Sequence, residues 1–322
     1  MSIIPPIAVP SPRRRPVLTP EQRSQFDAIS REYLRTGNRP KPGTPEHRAM
    51  ELGVAAEGGA FATTEYVRTV REEIESRSFL RSICTVFDSS RPLKMPYETD
   101  MGEAAYLDEE GAYSEDLPAF SAVSTSPFKA TSIQPVSEEL VQDFDGLEDY
   151  LGGLFGRRFA ALEERKFLTG GGTTEPTGLV TQVTTEVTTA GATAITLAEL
   201  AGVMDEIPAA YLPAASWVMS PAAWVAVVSL DSNAVTPAVE PMSVGRIWGR
   251  PVYVSGFMAG LTTGATPILF GDFSAVVVQG GQYSFQRLDE LYAGSGLVGF
   301  RAFMRHDCRL SIGDSIVKVT MA

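Results

Sequence analysis

The chain has 322 residues, 44% of them hydrophobic, enough for one large domain or two moderate ones with a true core. Its net charge is −12, yet residues 1 to 50 carry nine Arg/Lys against four Asp/Glu; a basic arm thus precedes an acidic body, which argues against sequence-specific DNA binding. Apolar runs such as Ala275–Val278 are too short to span a bilayer, the N-terminus lacks the apolar stretch of a secretion signal, and two cysteines, Cys84 and Cys308, exclude a disulfide framework and point to an intracellular folding compartment.

Residues 1 to 20 hold six prolines and little that could form a core, so they should be extended. Thr19-Pro20-Glu21 opens a helix: Thr19 can cap it, Pro20 suits its first position, and Gly37 ends it. Phe26, Ile29, Tyr33 and Leu34 give that helix an apolar face. With the extended "NRPKPGTPEH" behind it, the segment 1–60 reads as an arm whose basic cluster is Arg13, Arg14 and Arg15.

A second helix is predicted from about Thr64 to Ile83, with Val67, Val70 and Ile74 on one face. Strand-like "ICTVFD" follows. Residues 97 to 118 then contain eight carboxylates (Glu98, Asp100, Glu103, Asp108, Glu109, Glu110, Glu115 and Asp116) and no Lys or Arg. Strand-like "RPLKMPY" precedes them and "FSAVSTSPFKATSIQPVS" follows. The pattern predicts an extended hairpin, and a connection of this length inside a compact domain is usually functional.

The strongest helix signal runs from Ser137 to Leu168, with an apolar stripe of Leu147, Leu151, Leu154, Phe155, Phe159 and Leu162, stopped by Gly170, Gly171 and Gly172. Thr196 and Glu199 form a capping box ahead of Leu200, Val203, Met204 and Ile207. "SWVMS" reads as a buried strand and Ser220-Pro221 as the start of another helix. The remainder is strand-rich: "RPVYVSGFM", "PILFGDF", "AVVVQGG", "YSFQRL", "GFRAFMRHDCRLSI" and "IVKVTM". There is no internal repeat and no regular βαβ rhythm, so an α+β class is favoured over a doubly wound sheet.

Chemistry-bearing motifs are scarce. "FLTGGGTTEPTGLV" fails as a P-loop: Leu179, not Lys, follows Gly178, and the glycines trail a helix where a phosphate cradle would precede one. His306 and Cys308 alternate on one strand face, but no second pair accompanies them to complete a zinc site. There is no G-x-S-x-G elbow, and the acidic stretch lacks EF-hand spacing. No catalytic residue, cofactor or metal ligand is assigned, which favours a protein whose function is its shape.

Five features in order resemble the major capsid protein family of tailed bacteriophages, the fold first seen in the Hong Kong phage: a basic arm, a long two-stranded excursion leading into "QPVSEELVQDF", a long helix ending in "FLTGGGTTEPTGLV", then "GRPVYVSGFM" and "ILFGDFSAVVV". The resemblance covers roughly residues 60 to 322. It implies an arm (1–60), a peripheral domain (61–96, 119–184 with the spine helix, and 276–322), an extended loop (97–118) lying across a neighbouring subunit, and an axial domain (185–275). Gly170, Gly171, Gly172 and Gly178 become the turn where the chain leaves the spine helix.

The loop carboxylates then need basic partners, for which Arg157, Arg158, Arg246 and Arg250 are candidates. The implied product is an icosahedral shell of pentamers and hexamers around double-stranded DNA, touched only non-specifically. Its implied partners are a portal protein, a decoration protein and, because about 60 residues are too few for a scaffolding segment, either a separate scaffolding protein or self-assembly guided by the arm. The implied location is the virion, assembled in the host bacterial cytoplasm, with no membrane role. The family's founding member welds its shell by isopeptide bonds between a loop lysine and an asparagine. Here the nearest lysines are Lys94 and Lys129 and the only asparagines are Asn38 and Asn233, so a non-covalent shell is expected. An encapsulin-type compartment shell and a soluble α+β enzyme are the alternatives.

Overall fold

A computed structural model of the chain describes residues 19–36, 40–41, 44–45, 64–89, 91–100, 119–144, 146–230, 235–281 and 283–322. The arm cluster Arg13–Arg15, the terminator Gly37 and residues 101–118 lie outside these. The elements form an α+β fold divided into two compact units, one of residues 1–74, 130–158 and 282–304 and the other of residues 75–129, 159–281 and 305–322.

In the first unit, helix α1 (Pro20–Thr36) starts as expected. The Thr19 hydroxyl accepts from the Gln22 amide (3.3 Å), and the Gln22 side chain accepts from the Thr19 amide (3.0 Å). Phe26 and Tyr33 are buried. The second expected helix is two: α2 (Thr64–Arg77) and α3 (Phe79–Ile83), because Ser78 is extended between them.

The strand-like stretch before the long helix also divides, into β3 (Ala119–Ser124) and β4 (Phe128–Ser137), where Pro127 removes a ladder donor. The long helix itself is interrupted. The Ser137 hydroxyl caps α4 (Glu138–Asp143) by accepting from Leu140, and α5 begins afresh at Leu147 and runs 23 residues to Thr169. The break lies in "DFDG": Phe144 is extended, and its ring folds back so that a Cβ on Gly146 would stand 3.0 Å from it. The aromatic core of this unit is Phe155 edge-on to Phe285, which stacks on Phe300.

The second unit is built on a seven-stranded mixed sheet. Its order is β5 (Glu186–Thr188), β14 (Ile316–Thr320), β10 (Ile268–Gly271), β6 (Ser216–Met219), β9 (Arg250–Val254), β8 (Gly245–Ile247) and β7 (Val235–Thr236). Every residue of β6 and β10 is buried, because the sheet is covered on both faces; this explains why "SWVM" and "ILFG" are continuously apolar rather than alternating. Period-two alternation sorts the strands into two cores. Trp217, Met219, Val252, Ile268, Phe270, Val317 and Val319 face one side, where Trp217 stacks on Phe270 with centroids 4.0 Å apart. Beyond the short α6 (Leu179–Gln182), helices α7 (Leu197–Glu206) and α8 (Pro221–Leu230) supply Leu200, Val203, Ala223 and Val227 to that core. Val218, Tyr253, Leu269 and Ile316 face the other side, against Phe79, Leu80, Phe167 and Leu168.

A second layer of strands closes that other side. β1 (Thr85–Asp88) pairs in parallel with β11 (Val276–Gly280), which pairs antiparallel with β13 (Leu297–Leu310). Within the first unit, β13 also pairs with β12 (Ser284–Leu288).

The expected capping box on α7 is present: the Thr196 hydroxyl accepts from the Glu199 amide, and the Glu199 carboxylate accepts from the Thr196 amide. Gly202 sits mid-helix on the exposed side, with nothing within 4 Å of a built Cβ. Substituting Gly202→Ala should raise stability by about 1 kcal/mol, since it removes backbone freedom from the unfolded chain without a clash. Denaturant unfolding would show this as a higher midpoint at constant slope.

Candidate functional site

The acidic excursion rises from a described base. β2 (Lys94–Asp100) pairs antiparallel with β3, from Lys94↔Ser124 through Tyr97↔Ser121 and Glu98↔Phe120 to Asp100↔Ala119, with an irregularity between Glu98 and Asp100. The paired legs therefore continue past Tyr97, where the loop was expected to start. Glu98 and Asp100 belong to β2, whereas Glu103, Asp108, Glu109, Glu110, Glu115 and Asp116 lie outside the described residues.

Side chains from β11 and β13 hold the foot of this hairpin. The Gln279 amide donates to the carbonyls of Ser89 (2.8 Å) and Arg91 (2.6 Å), just before β2. The Ser126 amide, just after β3, donates to the Asp307 carboxylate (2.7 Å). Between them the Thr125 amide donates to the Leu93 carbonyl, and the Leu93 amide to the Thr125 hydroxyl.

The four arginine candidates stand in different surroundings. Arg157 is exposed on α5. Arg158 donates to the Ser132 hydroxyl and the Gln134 side chain on β4. Arg246 forms an ion pair with Glu240, and Arg250 donates to the Pro213 carbonyl (2.7 Å). Arg246 is thus already matched by a carboxylate of its own chain.

The glycine stretch is a tight double-backed turn. Gly170 closes α5 by donating to the Lys166 carbonyl, and the Gly178 amide then returns to the Gly170 carbonyl (2.9 Å). The two segments approach so closely that a Cβ on Gly178 would lie 2.4 Å from the Gly170 nitrogen, and one on Gly170 would lie 2.1 Å from the Pro176 carbonyl oxygen. Gly172 has φ +81°. Glu175 staples the loop, accepting from the Gly171 amide and pairing with Lys166 at 2.6 Å. These contacts explain the glycines through packing, not ligand binding.

One buried group escaped the sequence reading. Glu163 is fully buried, and its carboxylate accepts from Arg81 at 2.7 and 2.9 Å and meets His306 Nδ1 at 3.2 Å. His306 also packs edge-on to Phe167. Burial opposes ionisation of Glu163, but the charge and hydrogen bonds of Arg81, with His306 adding to them, outweigh it and hold the carboxyl at about 2. The signal was present: residues 151, 155, 159, 163 and 167 recur at i+4, so Glu163 lies in phase with the apolar stripe, and the half-buried Leu162 does not. An acid in that phase requires a buried basic partner. Nearby, burial pushes the thiols of Cys84 and Cys308 up, against thiolate formation.

The phage capsid family profile matches residues 58–321. A comparison with curated protein sequences returns no match. Among solved structures, the chain is similar to the capsid of a native GTA particle computed with C5 symmetry: 22% identity, TM-score 0.65, covering 76% of this chain and 89% of that one. It is also similar to a chain of Mycobacterium phage Adephagia (15% identity, TM-score 0.58, 76% of this chain and 90% of that one). A chain of Gordonia phage Cozz aligns at 14% identity and TM-score 0.55 over 76% of this chain and 87% of that one.

Two outcomes follow from this geometry. Gly178→Ala should destabilise the protein by about 1–3 kcal/mol, because the methyl has only backbone to push against; a thermal melt of the folded subunit measures it. Glu163→Gln should cost about 3–5 kcal/mol by removing the buried carboxylate that accepts from Arg81 and meets His306. The wild-type contribution of Glu163 is fully present above the ordinary carboxylate value of 4.5 and fades as pH falls toward about 2. Unfolding measured across that window should show this acid-side loss in the wild type and its absence in the variant.

Proposed function

The chain belongs to the phage capsid family, and from that premise we propose that it builds the pentamers and hexamers of an icosahedral shell enclosing the double-stranded DNA of a tailed phage or prophage. Family membership makes it a capsid shell protein, a virion component with a structural role; no helix among the described residues is long and apolar enough to cross a membrane.

The observation that carries the finer reading is the hairpin. Its legs are paired and anchored, and residues 101–118 between them hold six carboxylates and no Lys or Arg. So one-sided a charge calls for basic groups on another surface, and in a shell that surface is a neighbouring subunit. In a closed shell each copy both offers a hairpin and receives one, and modest contacts are repeated around the particle. Arg157, exposed on α5, fits this role better than Arg246, which Glu240 already neutralises.

An acidic body around DNA limits contact to weak, non-specific pairing, and the basic cluster Arg13–Arg15 is the segment that would face either phosphate or a neighbouring acidic surface. The reading includes a portal protein, a separate scaffolding protein and a decoration protein as partners, with assembly in the host cytoplasm. With Cys84 and Cys308 free and no lysine within residues 97–118, the shell is non-covalent.

Particles purified from cells expressing the chain with its neighbouring phage proteins should appear in electron micrographs as closed shells of uniform diameter containing nuclease-resistant DNA. After boiling, they should give a single gel band at the mass of one chain. Deleting residues 101–118 should leave a subunit that melts as the wild type does but forms no closed shells. A stable monomer at every concentration, or normal shells from the deletion, would refute the proposal; packaged protein in place of DNA would convert it to a compartment shell.

A further inference from the structure

Gln279 and Asp307 are directly opposite one another in the antiparallel β11–β13 ladder. Residues opposite in such a ladder present their side chains on the same face. Val278 and Cys308, the preceding opposite positions by alternation, pack in the apolar core, so Gln279 and Asp307 point to the other face of the layer. There each is completely buried, and each grips a different leg of the β2–β3 hairpin: Gln279 the chain entering it, at Ser89 and Arg91, and Asp307 the chain leaving it, at Ser126.

We propose that this pair is a two-point clamp, its members positioning residues that set the direction in which the hairpin leaves the subunit and so allow it to reach a neighbour. The inference rests on the shell reading above.

Three observations carry it. Both grips are made to main-chain groups, so they fix backbone position whatever side chains the legs bear. The Gln279 side-chain oxygen is buried and without a hydrogen-bond partner among the described residues. A core residue needed only to fill space would be apolar there, because an unmatched buried acceptor is a net loss; the amide persists for the two carbonyls it grips. Finally, Asp307 is itself braced. Its other oxygen, Oδ1, accepts from the Cys308 amide, and Arg309 donates to Oδ2, the oxygen that holds Ser126, while also reaching the Thr177 hydroxyl at the glycine turn. One grip without the other would leave a hinge at the free leg, since a single hydrogen bond allows rotation that two separated anchors forbid.

The test uses Gln279→Met, which keeps length and removes the donor, and Asp307→Asn, which keeps shape and replaces one acceptor oxygen with a donor. Amide hydrogen exchange is measured by mass spectrometry on the full-length unassembled chain, and shell formation is measured in parallel. In both variants, exchange over residues 93–100 and 119–126 should rise by about tenfold or more while β6 and β10 keep their protection. Closed shells should fall by about tenfold, with irregular or open particles in their place. Unchanged exchange in the hairpin would overturn the clamp. So would a rise spread equally over β6 and β10, since the residues would then support the whole unit. A loosened hairpin with normal shells would overturn the positioning role. If the wild-type chain formed no shells under any condition, the shell reading would fall, and the exchange result would still report on the grips alone.

Discussion

A buried polar group is costly unless it is paired, and in this protein one short run of one strand ties several distant segments together by such pairing. From His306 to Leu310, β13 lies in the second unit with every residue committed. His306 meets Glu163 of the long helix, Asp307 holds the hairpin foot, and the carbonyl of Cys308 accepts from Gln182. Arg309 reaches Thr177, and the Leu310 amide returns to Gln182. The end of the long helix, the glycine turn and the hairpin are thus registered against one strand by directional bonds rather than by apolar packing alone. Apolar contact tolerates sliding; a buried carboxylate with named donors does not.

This constraint explains why stability and precision are separated in the fold. The apolar work is done by the two faces of the seven-stranded sheet, around Trp217 and Phe270 on one side and Leu269 and Val218 on the other. Those cores would tolerate conservative exchange of volume. The polar strand adds directional bonds, which fix angles. A shell protein needs both: a body stable enough to bear load, and projecting elements aimed consistently enough that each copy meets its neighbours alike.

Much of this was legible in the chain itself. The Thr196/Glu199 box, the Thr19 cap, the stop at Gly170 and the continuous burial of "SWVM" and "ILFG" all follow from local rules, and local rules held. Where the reading failed, distant contacts had overruled a local pattern. Ser78 and Phe144 are ordinary residues for a helix interior, yet the backbone of each is extended. The hairpin was visible as two strands around an acidic stretch, but its foot was not, because Gln279 and Asp307 are separated by about 190 and 181 positions from the groups they bind. Glu163 could have been found from its phase; Arg81 as its partner could not.

Those separations have a consequence in time. Gln279 is made 190 residues after Ser89, and Asp307 181 residues after Ser126. β1 likewise waits for β11, and β5 for β14, its parallel partner near the C-terminus. Contacts of such span are the slow ones in folding. A nascent chain therefore has no means of fixing the foot of its hairpin until translation has passed Asp307.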